Sequence, residues 1–344
     1  MRGAGIKGAL WAVIFVAGML LLFASCTSDT KEEEVVVYTA VDREYAEPVF
    51  NTFQEDTGIA VKAVYDVEAS KTTGLVTRLV AEKDRPRADV FWNNEFSQTI
   101  LLKDEGVLAS YASPEAADIP AGYKDPEGYW TCFGGRARIF IVNTELVREE
   151  DYPRSISDLL DPRWPADRVG MANPLFGTTK THAAALYAIW GADKAKAFFI
   201  KVNERGIRIL DGNALVRDLV ARGELVMGLT DTDDACVAIG RGDPVAVVFP
   251  DQETLGTLIV PSSVALIEGC PHRGNAERLV NYLVSAENEN ALVAAGFFQT
   301  TVRVSGTRPD CIPTEDIMGM DVSYPRIFEN LGPAKEDLSE LFIR

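Results

Sequence analysis

The chain has 344 residues, and its 51 acidic side chains against 34 basic ones give a formal net charge of −17. This surplus of negative charge argues against a nucleic-acid partner, because the phosphates would be repelled. A hydrophobic content of 47% and a charged content of 25% are ordinary for a globular protein, which argues against a disordered chain, and the length suits two domains or one large one.

The N-terminus predicts a lipoprotein signal peptide over residues 1–25. Arg2 and Lys7 form a basic start, and residues 9–23 form an apolar run that is short for a membrane-spanning helix. Small residues then lead to Cys26, as in a bacterial lipobox, although Phe23 stands where leucine is more usual. We therefore expect Cys26 to be lipidated, residues 26–34 to be a polar tether, and the protein to be exported to the periplasm or cell surface. The alternative is an uncleaved N-terminal anchor.

Four further cysteines are widely spaced in the exported part of the chain, at Cys132, Cys236, Cys270 and Cys311. No CxxC pair occurs, which argues against a zinc knuckle. An oxidising compartment permits disulfides, and four cysteines allow three full pairings among which the sequence does not choose. The alternative is that some of them are simply small core residues.

Strand and helix patterns alternate along the body of the chain. The predicted strands are 35–38, 59–65, 89–92, 139–142, 168–172, 225–229, 245–249 and 258–267. The predicted helices are 44–56, 70–83, 179–190, 192–203, 214–222, 275–283 and 286–294. This rhythm indicates an α/β protein built from right-handed βαβ units with a mixed, mostly parallel sheet. Two lobes joined by extended segments near 134–138 and 261–263 fit the length, with a ligand crevice at the carboxyl ends of the strands.

The order of several segments carries a family resemblance. The segments are VVVYTAVDRE (35–44), DTGIAVKAVY (56–65), ADVFWNNE (88–95), GGRARIFIVNT (134–144), the glycine–threonine turn before HAAAL, GELVMGL (223–229) and SSVALIEGCPHRGNAERLVNYL. Over residues 34–310 this order resembles the bacterial solute-binding proteins of the ferric-ion-binding type, the extracellular family 1 receptors of ABC importers. The resemblance implies a class II periplasmic binding protein fold, with two lobes, hinge strands and closure over a ligand.

From that resemblance we expect the first lobe at 35–134 plus 264–310, the second lobe at 135–263 and a C-terminal helical tail at 311–344. The expected partners are an ABC permease and its ATPase, a small ligand, and the membrane through the lipid anchor, with the protein itself a monomer and no nucleic acid bound.

The ligand residues of iron-binding relatives do not carry over to this chain. Where those relatives have a histidine after the first strand, the matching position here is Asp42, and where they have a glutamate after the DVF strand, the nearest match is Asn94. Their tyrosine pair would fall at Asp233 and Asp234, so the resemblance implies that the tyrosine iron site is absent. Ferric iron is a hard cation that accepts carboxylates, so a metal site of Asp42, Asp233 and Asp234 stays the alternative. Other branches of the family take organic phosphates or phosphonates.

A glycine–threonine turn before the alanine-rich helix is the first candidate anion site. Helix N-termini expose unpaired N–H groups at the positive end of the helix dipole, which suits an anionic ligand. The candidates are Gly177, Thr178, Thr179 and Thr181. In iron-binding relatives this segment resembles the place that holds a synergistic anion. The alternative is an ordinary threonine N-cap.

Two more anion candidates lie elsewhere. Arg136 and Arg138 are two apart on a strand and share one face, so one of them could hold a phosphate or carboxylate in a bidentate contact, with a surface ion pair as the alternative. Ser70, Lys71 and Thr72 open another helix and offer a second N-terminal anion site.

Carboxylates supply the opposite end of the expected ligand site. Asp231, Asp233 and Asp234 follow a strand and could bind a cation, an ammonium group or sugar hydroxyls. Because Asp233 and Asp234 are adjacent, we expect both to face one cavity only in irregular backbone. The alternative is an acidic helix N-terminus stabilised by the dipole.

An enzyme is the weaker interpretation. The chain has two histidines, His182 and His272, and contains no G-x-S-x-G, HExxH, GxGxxG or GxxxxGK[ST] motif. We therefore predict no catalysis and no cofactor, with an exported hydrolase and a sensory or structural lipoprotein as the alternatives of other classes. The predicted function is a lipid-anchored receptor that captures a small organic phosphate, phosphonate or carboxylate, and the runner-up is a receptor for a metal held together with an anion.

Overall fold

The structure is a computed structural model that describes residues 33–66, 73–303, 306–312 and 317–342. The predicted signal peptide, Cys26 and the candidates Ser70, Lys71 and Thr72 lie outside the described residues. The described residues from Glu34 onward belong to one compact unit. Among the helices that the structure describes, none is long and apolar enough to cross a membrane.

The described chain alternates strands with helices much as the sequence predicts. The strands are β1 Glu34–Thr39, β2 Ala60–Tyr65, β3 Val90–Asn93, β4 Leu108–Ala109, β5 Thr131–Asn143, β6 Val169–Ala172, β7 Arg208–Leu210, β8 Met227–Asp231, β9 Val245–Val248 and β10 Ile259–Ile267. The helices are α1 Arg43–Thr57, α2 Thr73–Ala81, α3 Ser97–Asp104, α4 Gly177–Trp190, α5 Ala192–Arg205, α6 Asn213–Ala221, α7 Thr232–Gly240, α8 Arg273–Val284, α9 Ala286–Ala294 and α10 Tyr324–Phe342.

Helix α1 shows how local sequence sets these boundaries. Its apolar residues Val49, Phe50 and Phe53 recur at helical spacing and are buried against the sheet. The helix ends where Gly58 adopts a left-handed conformation with φ of 72° and returns its N–H to the carbonyl of Gln54.

The strands follow the order β2-β1-β3-β10-β5-β8-β6-β7, with β4 beside β10 and β9 beside β5. Pairing is parallel between β1 and its neighbours β2 and β3, and between β6 and its neighbours β7 and β8. Pairing is antiparallel wherever β5 or β10 takes part. The mixed α/β architecture is therefore confirmed, with its parallel pairs confined to two groups, the first sheet group (β1 to β4) and the second sheet group (β6 to β9).

Strands β5 and β10 connect the two sheet groups. The first half of β5 pairs with β10, and its second half pairs with β8 and β9. At the register shift within the β5–β10 pairing, Gly134 and Gly135 have φ of 49° and 155°. A Cβ at Gly134 would lie 2.0 Å from Cδ2 of Phe298, so glycine is needed there both for backbone conformation and for space. These strands are where the sequence predicts the hinges, and the residue boundaries of the lobes stay a prediction.

Separate hydrophobic cores support the two sheet groups. Val37, Trp92 and Leu292 belong to a core between the first sheet group and helices α1, α8 and α9. Ile139 and Ala235 belong to another core, in which α6 and α7 cover the second half of β5. Helix α10 packs on α4 and α5. A third core spans both sheet groups, since it contains Phe91 of β3 together with Phe140 of β5 and Leu229 of β8.

One disulfide is present among the described cysteines, between Cys236 on α7 and Cys311. Cys132 and Cys270 are free, and burial raises the pKa of both thiols, to about 11 for Cys270. The structure therefore contains none of the three full pairings: it has one of the possible disulfides, and the other two cysteines are buried or half-buried, as the alternative expected.

Candidate ligand site

Three helices of the second sheet group begin at one place. Helices α4, α6 and α7 each follow a strand, respectively β6, β7 and β8, and these strands run parallel. Because parallel strands end at the same edge, the positive N-termini of all three helices meet there. Hydrogen bonds among Thr178, Asn213 and Asp231 join the three helix starts directly.

A buried ion pair lies at the centre of this edge. The Arg138 guanidinium donates from Nη1 to Oδ1 of Asp231 at 2.7 Å, and the arginine side chain has no solvent exposure. The Thr178 hydroxyl and the Asn213 amide donate to Oδ2 at 2.6 and 2.9 Å. Arg138 Nη2 also donates to the Thr179 hydroxyl at 3.1 Å. The side chains of Thr178, Thr179 and Asp231, all predicted as ligand contacts, are therefore engaged with one another, and their contact with a ligand stays a prediction.

The N-terminus of α4 has no threonine at its cap position. The cap position is Phe176, which makes no side-chain capping bond, so the threonine N-cap expected as the alternative is not what the structure contains. Gly177 is exposed with φ of 54°, and the Thr181 hydroxyl donates a hydrogen bond to the Gly177 carbonyl at 3.4 Å. The first N–H groups of the helix therefore receive no side-chain cap from this position and point outward with the helix dipole.

Three carboxylates converge in the first turn of α7. One oxygen each of Asp231, Asp233 and Asp234 lies within 4.8 Å of the others. The expectation that Asp233 and Asp234 could share a cavity only in irregular backbone is wrong, because both belong to the regular helix α7 and still approach Asp231 at its start. Asp42 is not part of this cluster among the described residues.

The three carboxylates differ in how they are satisfied. Both oxygens of Asp231 accept hydrogen bonds, and Asp234 accepts from Arg217 at 3.3 Å and from Thr230 at 3.2 Å. In contrast, Oδ1 of Asp233 is buried and has no hydrogen-bond partner in the described part of the chain. Burial raises the pKa of Asp233, and the charge of Asp231 adds to this effect. Burial, together with the charges of Asp233 and Asp231, raises the pKa of Asp234 to about 7.

Arg136 is the accessible arginine of the pair on β5. Its Nε lies 3.7 Å from Oδ2 of Asp231, and its side chain is 23% exposed. Its positive charge lowers the pKa of Asp233, whereas burial raises it. This electrostatic effect means that the two side chains lie close to each other. Arg136 and Arg138 share one face of the strand as predicted, but only Arg136 is exposed enough to meet a ligand. The surface ion pair expected as the alternative does not describe Arg138, which is fully buried.

Residues of the first sheet group approach this edge. Tyr45, on α1, has a pKa raised first by burial and then by the charges of Glu44, Asp42 and Asp233, so the phenol lies within electrostatic range of the α7 carboxylate. Asp42 is exposed at the start of α1, and Asn94 is half-buried after β3. Sequence reasoning did not identify Tyr45 or Asn213 as residues near the site. The signal for Tyr45 was its position three residues after the candidate Asp42. No local sequence feature marks Asn213.

His182 does not supply acid–base chemistry at this edge. It is buried on α4, and burial together with the nearby Arg138 charge lowers its pKa to about 3. The imidazole is therefore neutral at physiological pH.

A separate cavity of about 570 Å³ lies between α1, α8 and α9. Its floor is formed by apolar residues such as Val49, Phe53 and Leu292, and none of the predicted ligand residues line it. We therefore place the candidate site at the Asp233 edge and not in this cavity.

Comparison with known proteins supports the architecture. A family model described as bacterial extracellular solute-binding protein matches residues 86–311. The chain is 21% identical over 315 residues to an Fe(3+)-binding periplasmic protein of Serratia marcescens, covering 90% of this chain and 91% of that protein. It is 24% identical over 280 residues to a protein of Salmonella typhimurium named as putatively 2-aminoethylphosphonate-binding, with coverage of 78% and 79%.

Solved structures show the same fold. Ferric iron-binding protein A of Mannheimia haemolytica, in an open conformation, superposes with a TM-score of 0.80 at 19% sequence identity. The alignment covers 90% of this chain and 98% of that one. The predicted two-lobed periplasmic binding protein fold is thereby confirmed.

Proposed function

The chain belongs to the family of bacterial extracellular solute-binding proteins, as its segment order predicted, and we propose that it is an ABC-importer receptor for a small zwitterionic organic anion. Members of this family bind their substrates and are not enzymes, which removes the exported hydrolase from consideration. A metal bound by such a receptor is cargo and not a resident cofactor. A permease and an ATPase are the partners that this role requires.

The observation that carries the proposal is the buried, unpartnered Oδ1 of Asp233 beside the partly exposed Arg136. A buried carboxylate oxygen without a hydrogen bond is costly, and a ligand that donates to it recovers that free energy. Ammonium groups and hydroxyls are suitable donors, and a charged donor gains more than a neutral one.

The anionic end of the ligand has its own donors nearby. Arg136 offers a planar guanidinium, and the α4 start at Gly177 offers backbone N–H groups at a positive helix end. If an anion occupied Arg136 alone, Asp233 would lose the positive charge that now offsets it. A ligand bearing both a phosphonate, phosphate or carboxylate and an amine compensates both side chains together.

A ferric site is the second candidate, and two observations favour it. The oxygens of Asp231, Asp233 and Asp234 lie within 4.8 Å of one another, and hard cations accept such oxygens. The Serratia relative is named for Fe(3+) binding. Against it, Arg138 and Arg217 already form ion pairs with Asp231 and Asp234, and Arg136 would lie close to the metal. One free carboxylate oxygen supports an ammonium better than it supports a trivalent ion.

Capture would proceed by closure of the lobes 35–134 plus 264–310 and 135–263 about β5 and β10. Tyr45, Asp42 and Asn94 would then approach the ligand from the first sheet group. The supporting feature is the electrostatic proximity of Tyr45 and Asp233. We further propose that the receptor is an exported monomer anchored through lipidated Cys26, on the strength of the N-terminal sequence.

A thermal-shift screen of metal-stripped protein tests the ligand class. The probes are 2-aminoethylphosphonate, inorganic phosphate, a sugar phosphate, calcium and ferric citrate. A ligand at about 100 times its Kd adds about 2.7 kcal/mol to the free energy of unfolding, which is readily seen as a rise in Tm. We expect the largest rise with the aminoalkyl phosphonate, and a rise with ferric citrate alone would replace the proposal by the second candidate.

A further inference from the structure

The segment that ends at Cys311 leads from the core that contains Val302 to helix α7 of the second sheet group. Val302 packs in the core of the first sheet group with residues such as Val35 and Leu292. Cys311 is bonded to Cys236 on α7, whose neighbours Ala235 and Ala238 pack in the core of the second sheet group with Ile139. The disulfide therefore connects the first sheet group with the second sheet group at a point separate from β5 and β10.

Hydrogen bonds of Arg303 hold the N-terminal end of this segment to residues that pack beside the first sheet group. Arg303 donates to Asp118 at 2.8 Å, to the buried Glu289 at 2.6 Å and to the carbonyl of Val284 at 2.8 Å. Further along, the Thr307 N–H donates to Oδ1 of Asn290 on α9 at 3.0 Å. The segment thus leaves α9 at a fixed position.

The disulfide shortens the free length of this crossing. Among the hydrogen bonds of the described residues, one further along the chain joins the Thr257 N–H of the predicted second lobe to the carbonyl of Met318. Met318 is eleven positions after Thr307, and an extended chain of eleven steps reaches about 38 Å. Cys311 is only four residues from Thr307, which limits the reach to about 14 Å.

From this geometry we propose that the Cys236–Cys311 disulfide is a tether between the lobes, which limits how far α7 and its Asp233 can move from α9 in the ligand-free protein. Restricting the open state raises the fraction of molecules whose site is already assembled. The apparent affinity of a ligand scales with that fraction. Cys236 and Cys311 are accordingly positioning residues for the ligand site, one helical turn from the carboxylates.

Two variants separate a tether from a simple stabilising crosslink. The first is the double variant Cys236→Ser with Cys311→Ser. The second keeps the disulfide and inserts six Gly/Ser residues between Arg308 and Pro309, which lengthens the tether without removing the bond. A control carries the same six residues in the exposed turn between Glu145 and Leu146.

Small-angle X-ray scattering of each ligand-free protein reports the separation of the lobes through the radius of gyration. We expect both test variants to have a larger radius of gyration than wild type, and the control to match wild type. If the radius of gyration rises only in the serine variant, the bond acts only through stability and the proposal is overturned. The proposal is also overturned if both test variants have the radius of gyration of wild type.

Affinity gives a second measurement, with 2-aminoethylphosphonate as the probe. We expect both test variants to bind it about five- to tenfold more weakly than the control. This second measurement rests on the proposed function, whereas the scattering uses no ligand. A failure of the tether and a failure of the ligand assignment are therefore distinguishable.

Discussion

Arg138 and Asp231 form a buried ion pair across 93 residues of sequence, with 2.7 Å between Nη1 and Oδ1. The pair joins β5, one of the two strands that cross between the sheet groups, to the end of β8. Because both oxygens of Asp231 already accept hydrogen bonds, the pair organises the helix starts around it. We propose that Asp233 and Arg136 are the neighbouring side chains that contact the ligand.

Replacing Arg138 by methionine should destabilise the protein by about 3–5 kcal/mol, since the buried Asp231 charge loses its partner. Denaturant unfolding followed by circular dichroism measures the loss. The matched control is Arg136→Met, which should cost less than about 1 kcal/mol because that side chain is partly exposed and 3.7 Å from Asp231. Adding Asp231→Leu to Arg138→Met should recover part of the stability. Equal losses for the two arginines would contradict the division of roles.

Asp234 should make stability depend on pH. Its pKa is about 7 in the folded protein, whereas an unfolded aspartate titrates near pH 4. The folded state therefore binds the additional proton, and this contribution to the free energy of unfolding falls as pH rises from about 4 to about 7. Arg217 at 3.3 Å opposes the shift, but burial and two neighbouring carboxylates outweigh it.

The variant Asp234→Asn tests this dependence. It should gain stability relative to wild type across that window, by at most about 4 kcal/mol at neutral pH. Free energies of unfolding at pH 4.5, 6 and 7.5 provide the comparison, and the exposed Asp193→Asn serves as control. Parallel pH profiles for Asp234→Asn and wild type would show that the carboxylate is ionised as usual.

Gly134→Ala should disturb the crossing strand. The new methyl group would lie 2.0 Å from the Phe298 ring at a φ of 49°, so the strand or the ring must move. We expect a loss of at least about 2 kcal/mol, from combined steric and backbone strain. Gly122→Ala, with nothing within 4 Å of the added carbon, is the control and should change stability little. An unchanged Tm for Gly134→Ala would mean that this crossing point is more adaptable than the structure indicates.

Lipidation is a prediction from the N-terminal sequence. Expressed in a bacterial host with labelled palmitate, the wild-type protein should incorporate label and partition into the membrane fraction. Cys26→Ala should do neither, because the acylated thiol is absent. Label in the Cys26→Ala protein would disprove the assignment of the anchor. Cys270→Ala is a suitable control, which should incorporate the label as wild type does.

Much of the fold was predictable from local pattern. Helix α1 was expected at 44–56 and is found at Arg43–Thr57, because the spacing of Val49, Phe50 and Phe53 and the stop at Gly58 are both local. The two crossing strands were expected near their glycines and Pro261. The family followed from the order of segments rather than from any one motif.

The candidate site was predictable only in part. The sequence identified Arg136, Gly177 and the three aspartates as candidates, since each lies beside the end of a predicted strand or the start of a predicted helix. It did not show that Arg138, Thr178 and Asp231 satisfy one another, because those contacts join residues 40 to 93 positions apart. The same reason hid Asn213 and the pairing of Cys236 with Cys311, which only the folded chain brings together.

Isothermal titration calorimetry of the metal-stripped protein with 2-aminoethylphosphonate tests the central claim most directly. We expect saturable one-to-one binding by wild type and by the control Asp193→Asn, and at least about 30-fold weaker binding by Asp233→Asn, because a charged hydrogen bond is lost. Binding of ferric iron without binding of the phosphonate, phosphate or a sugar phosphate would contradict the account and identify the protein as an iron receptor with carboxylate ligands.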